Sequence, residues 1–195
     1  IYIDKTLVGG YDPAAGKERY FQTECVKTLI ERYKQGKQKM LVHIATGLGK
    51  TRIAVALVKA LLEHNFTKRV LFVVDRILLA KQARDEGFSL ISNDFPVAWI
   101  RSSNYNQYRN YSVHIVVIDT LENIFYDIPS NFYDLLIVDE CHRSININRK
   151  LIFDHFLCPR IGLTATPKKA ILDKNGSDIS EEDLEILDTY KLFGC

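Results

Sequence analysis

Apolar residues fall into short continuous runs along this chain, separated by stretches of longer period. The runs are "MLVHI" (40–44), "VLFVV" (70–74), "VHIVVI" (113–118), "LLIV" (135–138) and "RIGL" (160–163). Each has strand length, and its near-continuous apolarity predicts a strand covered on both faces, as in a parallel sheet. "FPVAWI" (95–100) is a candidate sixth strand. Between the first two runs lies "TRIAVALVKALLEHN" (51–65). It is helical in length, apolar almost all round and therefore buried on the sheet, with Asn65 as its C-cap. "ILLAKQARDEG" (77–87) reads as a second helix ending at Gly87. Strands alternating with helices predict an α/β, doubly wound domain whose ligands sit at the carboxyl ends of the strands.

After Pro167 the pattern dissolves. The segment "KKAILDKNGSDISEEDLEILDTY" is polar and turn-rich around Asn175-Gly176, with Ser180 and Asp183 in capping-box spacing. It reads as a linker carrying one short acidic helix. At 195 residues the chain has room for one domain with a sizeable core, or one plus an appendage. The net charge of +2 is too small to indicate nucleic-acid binding through bulk electrostatics, so such binding needs a local patch. No run reaches membrane-span length, and "IYIDKTLVGG" lacks signal-peptide layout. Four cysteines without a C-x-x-C pair indicate a reducing, cytoplasmic setting. The missing initial methionine and the ending "KLFGC" read as an excised piece of a longer protein, or as one trimmed by disorder.

Chemistry concentrates at three strand ends. "MLVHIATGLGKT" is a strand, a Gly-rich turn and the start of a helix. Gly47, Leu48 and Gly49 would offer backbone N–H groups to phosphate oxygens, helped by the positive end of the helix behind them. Lys50 would reach the β- and γ-phosphates, and the Thr51 hydroxyl would ligate Mg²⁺. The strict pattern G-x-x-x-x-G-K-[ST] wants glycine where this chain has Ile44.

The second strand end is "LLIVDECHRS" (135–144), where Asp139, Glu140, Cys141 and His142 stand in a row. Beside a phosphate loop, Asp139 would hold the magnesium and Glu140 would orient or deprotonate the attacking water. Zinc is the competing reading, through Cys141-His142 with His155-x-x-Cys158. Adjacent ligands seldom converge on one ion, and the usual spacer is missing from the first pair. His155 and Cys158 then read as a surface histidine and a buried thiol, and Cys141 as a small buried spacer. The third strand end, "RIGLTATPKK", adds Thr164 and Thr166.

In this order the motifs resemble those of superfamily 2 helicases and translocases. The likeness is strongest to the motor (R) subunit of type I restriction enzymes and the related type III restriction res-subunit family. It rests on "RYFQTE" (19–24), "IATGLGKT" (44–51), "VLFVVDRILLAKQA" (70–83), "HIVVIDTLEN" (114–123), "IVDECHRS" (137–144), "RIGLTATP" (160–167) and "DTYKLFGC" (188–195). The resemblance implies a RecA-like P-loop NTPase domain over 19–170, the first of two motor domains. Residues 1–18 would be an N-terminal extension, and 171–195 a linker toward a second RecA-like domain.

ATP and Mg²⁺ are the implied cofactors, with Lys50, Glu140 and His142 catalytic and Gly47 to Thr51 cradling the phosphates. Gln22, with Arg19 nearby, would read the adenine edge, since an amide both donates and accepts. A plain polar residue at a helix start is the other reading of Gln22. Arg76 and Thr120 would contact nucleic-acid phosphates, although residue type alone equally suits Arg76 to a surface ion pair. His142, Thr164 and Thr166 would couple the γ-phosphate site to domain movement.

Lys34, Lys37 and Lys39 read as a solvated helix end, and Tyr105, Tyr108 and Tyr111 as loop tyrosines packing on their own domain. The implied partners are double-stranded DNA, the second RecA-like domain of the same chain, and the methyltransferase and specificity subunits of a restriction complex; no membrane is implied. A superfamily 2 DNA repair or transcription-linked helicase shares every motif. A small P-loop kinase leaves "DECH" and "TATP" without purpose, and a non-hydrolysing P-loop nucleotide-binding module has no use for Glu140. Without a second domain to supply an arginine finger, worth roughly 10³–10⁵ in rate, this piece is expected to be nearly inactive alone.

Overall fold

The structure, a computed structural model, describes residues 1–12, 17–141, 147–167 and 189–193. Six strands form one parallel sheet: β3 (Lys39–His43), β4 (Val70–Val74), β5 (Val97–Ile100), β6 (Val113–Val117), β7 (Leu135–Asp139) and β8 (Arg160–Thr164). Their spatial order is β3-β8-β7-β4-β6-β5, every pairing parallel. A two-residue antiparallel pair, β1 (Tyr11–Asp12) with β2 (Lys17–Glu18), stands apart. The six apolar runs are thus the six strands, with ends moved by a residue or two.

Side chains alternate across a strand, and here both faces are dry. In β4, Val70, Phe72 and Val74 enter one core while Leu71 and Val73 enter the other. β7 divides likewise, Leu135 and Ile137 against Leu136 and Val138. The first core is closed by α1 (Tyr20–Lys34) and α2 (Lys50–Glu63). The second is closed by α4 (Ile118–Ile124) and α5 (Ile147–His155).

α2 buries ten of its fourteen residues, which accounts for its nearly all-round apolarity. It ends at Glu63 with His64 as its C-cap, one residue before the expected Asn65, which stands in the left-handed region at φ 56°. Asn65 N–H donates to Leu62 and Phe66 N–H to Leu61, so the terminal carbonyls are satisfied in a Schellman arrangement. The expected helix 77–87 is shorter. α3 spans Ile77–Gln82, and the chain continues as a wider π turn over Ala83–Gly87 and a 3-10 turn over Phe88–Ile91. The widening drops Phe88 into the first core, edge-on to Phe72 at 5.1 Å.

Both ends of the chain fold back on the domain. Ile3, Leu7 and Val8 are buried in the first core, and Asp4 pairs with Lys59 of α2 at 2.7 Å. Near the other end, α6 (Thr189–Phe193) lays Leu192 and Phe193 into the second core. Arg160 of β8 holds it there, donating from Nε to the Leu192 carbonyl at 3.0 Å and from Nη1 to Asp154 at 3.0 Å. Gly162 permits the contact, because a Cβ there would lie 2.8 Å from the Phe193 ring and 2.9 Å from the Cys141 Sγ. The capping-box pair Ser180 and Asp183 lies outside the described residues. Among the described residues no helix is long and apolar enough to cross a membrane.

Candidate nucleotide site

The three chemical strand ends meet at the carboxyl edge of the sheet. β3 and β8 are adjacent, and the loop after each is tied to the other. Ile44 N–H donates to the Thr164 carbonyl at 3.0 Å, and the His43 ring bonds the Ala165 carbonyl at 3.1 Å. Thr164 is fully buried, and its hydroxyl accepts from Thr166 N–H at 3.1 Å. The phosphate loop turns through Gly47 (φ 81°) and Gly49 (φ 87°), left-handed conformations that glycine adopts at little cost. Gly49 is also the N-cap of α2, so the loop delivers the backbone to a helix start.

Lys50, the first residue of α2, is nearly buried, and its ammonium sits 2.9 Å from Glu140 Oε1. Phosphate loop and acidic strand end therefore form one site. Glu140 reaches it from a left-handed backbone at φ 49°, an uncommon conformation for a residue with a side chain. Its N–H donates to Asp139 Oδ1 at 3.0 Å. Asp139 is buried, and its pKa is pushed up to about 6, first by burial and then by the Glu140 charge, against the opposing pull of Lys50.

A buried carboxylate held at such cost suits a cation. The hydroxyl of Thr51 and the carboxylate of Asp139 are hard oxygen donors of the kind Mg²⁺ takes in phosphate sites. The donor set fits the ion.

Gln22 is buried at the start of α1 and bridges two segments. Its Oε1 accepts from Gly9 N–H at 3.1 Å, and its Nε2 donates to the Leu48 carbonyl at 2.8 Å. A Cβ at position 49 would meet that Nε2 at 2.5 Å, so Gly49 serves close approach as well as backbone shape. Arg19, Gln22, Arg52, Thr6, Leu7 and Gly10 line a cavity of about 280 Å³ beside the loop. Arg52 and the Thr6–Leu7 segment drew no attention from sequence alone; the place of Arg52 directly after Gly-Lys-Thr was the available signal.

Other expected residues lie apart. Arg76 is exposed at the N-cap of α3 and pairs with its neighbour Asp75 at 3.2 Å. Thr120, on α4, lines an open groove of about 490 Å³ with Ser102, Asp119, Asn123 and Ile124. His142, Arg143 and Ser144 lie outside the described residues, as does the side chain of Tyr105. Cys141 is fully buried against Gly162.

Of the zinc candidates, His155 bonds the Ile128 carbonyl at 2.8 Å, and burial pushes the Cys158 thiol up to about 12. Among the described residues no group of three or more potential metal ligands of the His, Cys, Asp and Glu type is brought together. Lys34, Lys37 and Lys39 are all exposed. Tyr108 and Tyr111 pack edge-on to each other at 5.2 Å against the second core.

A parallel sheet with Gly-Leu-Gly-Lys-Thr after β3, Asp139-Glu140 at the end of β7 and Thr-Ala-Thr at the end of β8 has the RecA-like fold and the motif order of a superfamily 2 motor lobe. More particularly, the chain belongs to the family "Type III restriction enzyme, res subunit", whose model matches residues 16–169. It is 32% identical over 170 residues to the type I restriction enzyme EcoAI endonuclease subunit of Escherichia coli, a match covering 82% of this chain and 20% of that protein. The chain thus spans about a fifth of that relative's length.

Two solved structures share the fold. One is a fragment structure ascribed to the HsdR subunit of a type I restriction enzyme from Vibrio vulnificus YJ016. Its TM-score is 0.63 at 22% identity, over 97% of this chain and 31% of that one. The other is the Sulfolobus solfataricus SWI2/SNF2 ATPase core in complex with double-stranded DNA, TM-score 0.69 at 17% identity, over 89% and 34%.

Proposed function

We propose that this lobe binds ATP with Mg²⁺ as the first half of a DNA-translocating motor, the R subunit of a type I restriction enzyme. The observation that supports the reading is the ion pair of Lys50 with Glu140 beside the buried Asp139, because the reading needs a phosphate-binding cation and a water-handling carboxylate close together. Lys50 and the loop N–H groups from Gly47 to Gly49 hold the β- and γ-phosphate oxygens. Thr51 and Asp139 hold the magnesium, which when bound neutralises charge on the phosphates. Glu140 accepts a proton from the attacking water. Its carboxylate is also the partner of Lys50, so phosphate that draws the ammonium away releases the base. Gln22 and Arg19 read the base from the adjoining cavity.

Arg76 and Thr120 contact DNA phosphates, and Thr164, Thr166 and His142 relay the state of the γ-phosphate toward a second RecA-like domain. That domain, reached through 171–195, completes the cleft with an arginine. Methyltransferase and specificity subunits are the proposed partners, and the cytoplasm the proposed setting.

The deciding experiment measures ATP hydrolysis by the full-length protein with and without double-stranded DNA. Stimulation by duplex is the expected result, and hydrolysis indifferent to any nucleic acid would sink the motor reading. A strand-displacement assay on the same protein separates a tracking motor, as proposed, from an unwinding repair or transcription-linked helicase.

A further inference from the structure

The π turn after α3 ends on Gly87, whose buried Cα lies against the first turn of α2. A Cβ at this position would sit 3.0 Å from Thr51 Cγ2 and 3.6 Å from Val55 Cγ2. The nearer value is tighter than ordinary methyl packing, so the bare glycine is what lets the Thr51 methyl rest there. The φ of Gly87 is −99°, outside the left-handed region, so backbone strain does not require glycine at this place. Close approach does.

Threonine in a helix divides between two χ1 rotamers, and packing decides which is kept. Because Cβ of threonine is chiral, fixing the methyl fixes the hydroxyl as well. We propose that Gly87 is a positioning residue: by seating the methyl of Thr51 it holds the hydroxyl in the one orientation that ligates Mg²⁺ beside the nucleotide phosphates. The π turn is the device that brings it there. A regular helix through 83–87 would present a different side of the chain to α2, and π turns recur where a helix is bent to functional use. The inference rests on the nucleotide-binding reading of the phosphate loop.

The test is calorimetric titration of the full-length protein with ADP, once with Mg²⁺ and once with a chelator. The ratio of the two affinities is the magnesium-dependent gain. Gly87→Ala is expected to cut that gain roughly 10-fold, the low end for partners standing behind a metal ligand, while leaving the chelator affinity as in wild type. Thr51→Ser, which has no methyl to seat, loses a smaller part of the gain. In that background Gly87→Ala adds nothing further, because the serine has no methyl for the added Cβ to push.

An undiminished gain in Gly87→Ala, or an equal loss with and without magnesium, overturns the proposal. So does a full effect persisting in the Thr51→Ser background. Should Gly87→Ala fail to fold, Thr51→Ser alone decides, and a gain equal to wild type counts against the proposal. Wild-type protein that binds no ADP at all instead refutes the phosphate-loop reading beneath it.

Discussion

His114 and Asp139, buried at opposite ends of the sheet, are held in opposite ways. At the amino end, His114 of β6 is fully buried, with Nε2 2.8 Å from the Tyr108 carbonyl and Nδ1 2.8 Å from the Tyr133 hydroxyl. A carbonyl only accepts, so Nε2 carries the proton and Nδ1 accepts from the tyrosine. Phe132 stacks on the ring at 6.0 Å, and Arg69 lies over Phe132 at 4.3 Å. The neutral imidazole is satisfied, and burial lowers its pKa. At the carboxyl end two carboxylates are crowded together: Asp139 is forced up to about 6 by burial and the Glu140 charge, and Glu140 stands in a left-handed backbone while it pairs with Lys50. One end is built to stay as it is. The other crowds charges in the way that the proposed triphosphate and divalent ion would relieve.

Breaking the carboxyl end has the largest expected consequence. Lys50→Ala removes the proposed phosphate-binding cation and should lower ADP affinity at least about 100-fold, because a charge-assisted contact to phosphate is lost. Calorimetry reads it, and unchanged affinity would contradict the phosphate-loop assignment. At the amino end, His114→Ala should cost about 2–4 kcal/mol, from the cavity and the stranded Tyr133 hydroxyl. Urea unfolding measures that loss, and ADP affinity should stay as in wild type.

Asp139→Asn sharpens the contrast by running the other way. It relieves a buried charge while keeping an acceptor for Glu140 N–H, so stability at pH 7 should rise by about 1–3 kcal/mol. The same variant should lose the magnesium-dependent part of nucleotide affinity. Stability gained together with unimpaired magnesium dependence would separate Asp139 from the metal.

The two ends also predict opposite responses to pH. Asp139 has a raised folded pKa, so its favourable contribution is present below the ordinary value of 3.8 and is lost as pH climbs through about 6. His114 has a lowered folded pKa, so its contribution is intact above 6.5 and is lost as pH falls below that value. Urea midpoints taken across pH 4–8 should show both slopes in wild type, while Asp139→Asn loses the first and His114→Ala the second. The smallest effect belongs to exposed Arg76, where Arg76→Ala should change stability by less than about 0.5 kcal/mol.

Much of this was legible in the chain itself. Continuous apolar runs mark strands buried on both faces, and all six strands follow them, because a parallel sheet between two helix layers leaves no polar side to disguise the period. The parts of the candidate site were local words in the sequence too, the Gly-rich loop and the acidic strand end, and the fold brings them together at Lys50 and Glu140. Contacts made at long range were not. Nothing in "RYFQTE" says that Gln22 spans from Gly9 to Leu48, and nothing in "ARDEG" says that the helix opens into a π turn. His114 sits in an apolar run where its neutral state and two partners, 6 and 19 residues away, are invisible. Such facts depend on which elements the topology makes neighbours, and pattern reading carries no register between elements.

The packing of α6 bears on where the protein can be cut. Phe193 plugs the shallow place over Gly162, and the Leu192 carbonyl occupies the Arg160 guanidinium. An expression boundary drawn after Pro167, where the last strand motif ends, would unstop the sheet and leave that guanidinium facing an apolar hole. A boundary beyond residue 193 keeps the seal. The turn over Thr189–Phe193 is thus a gasket for the domain that precedes it.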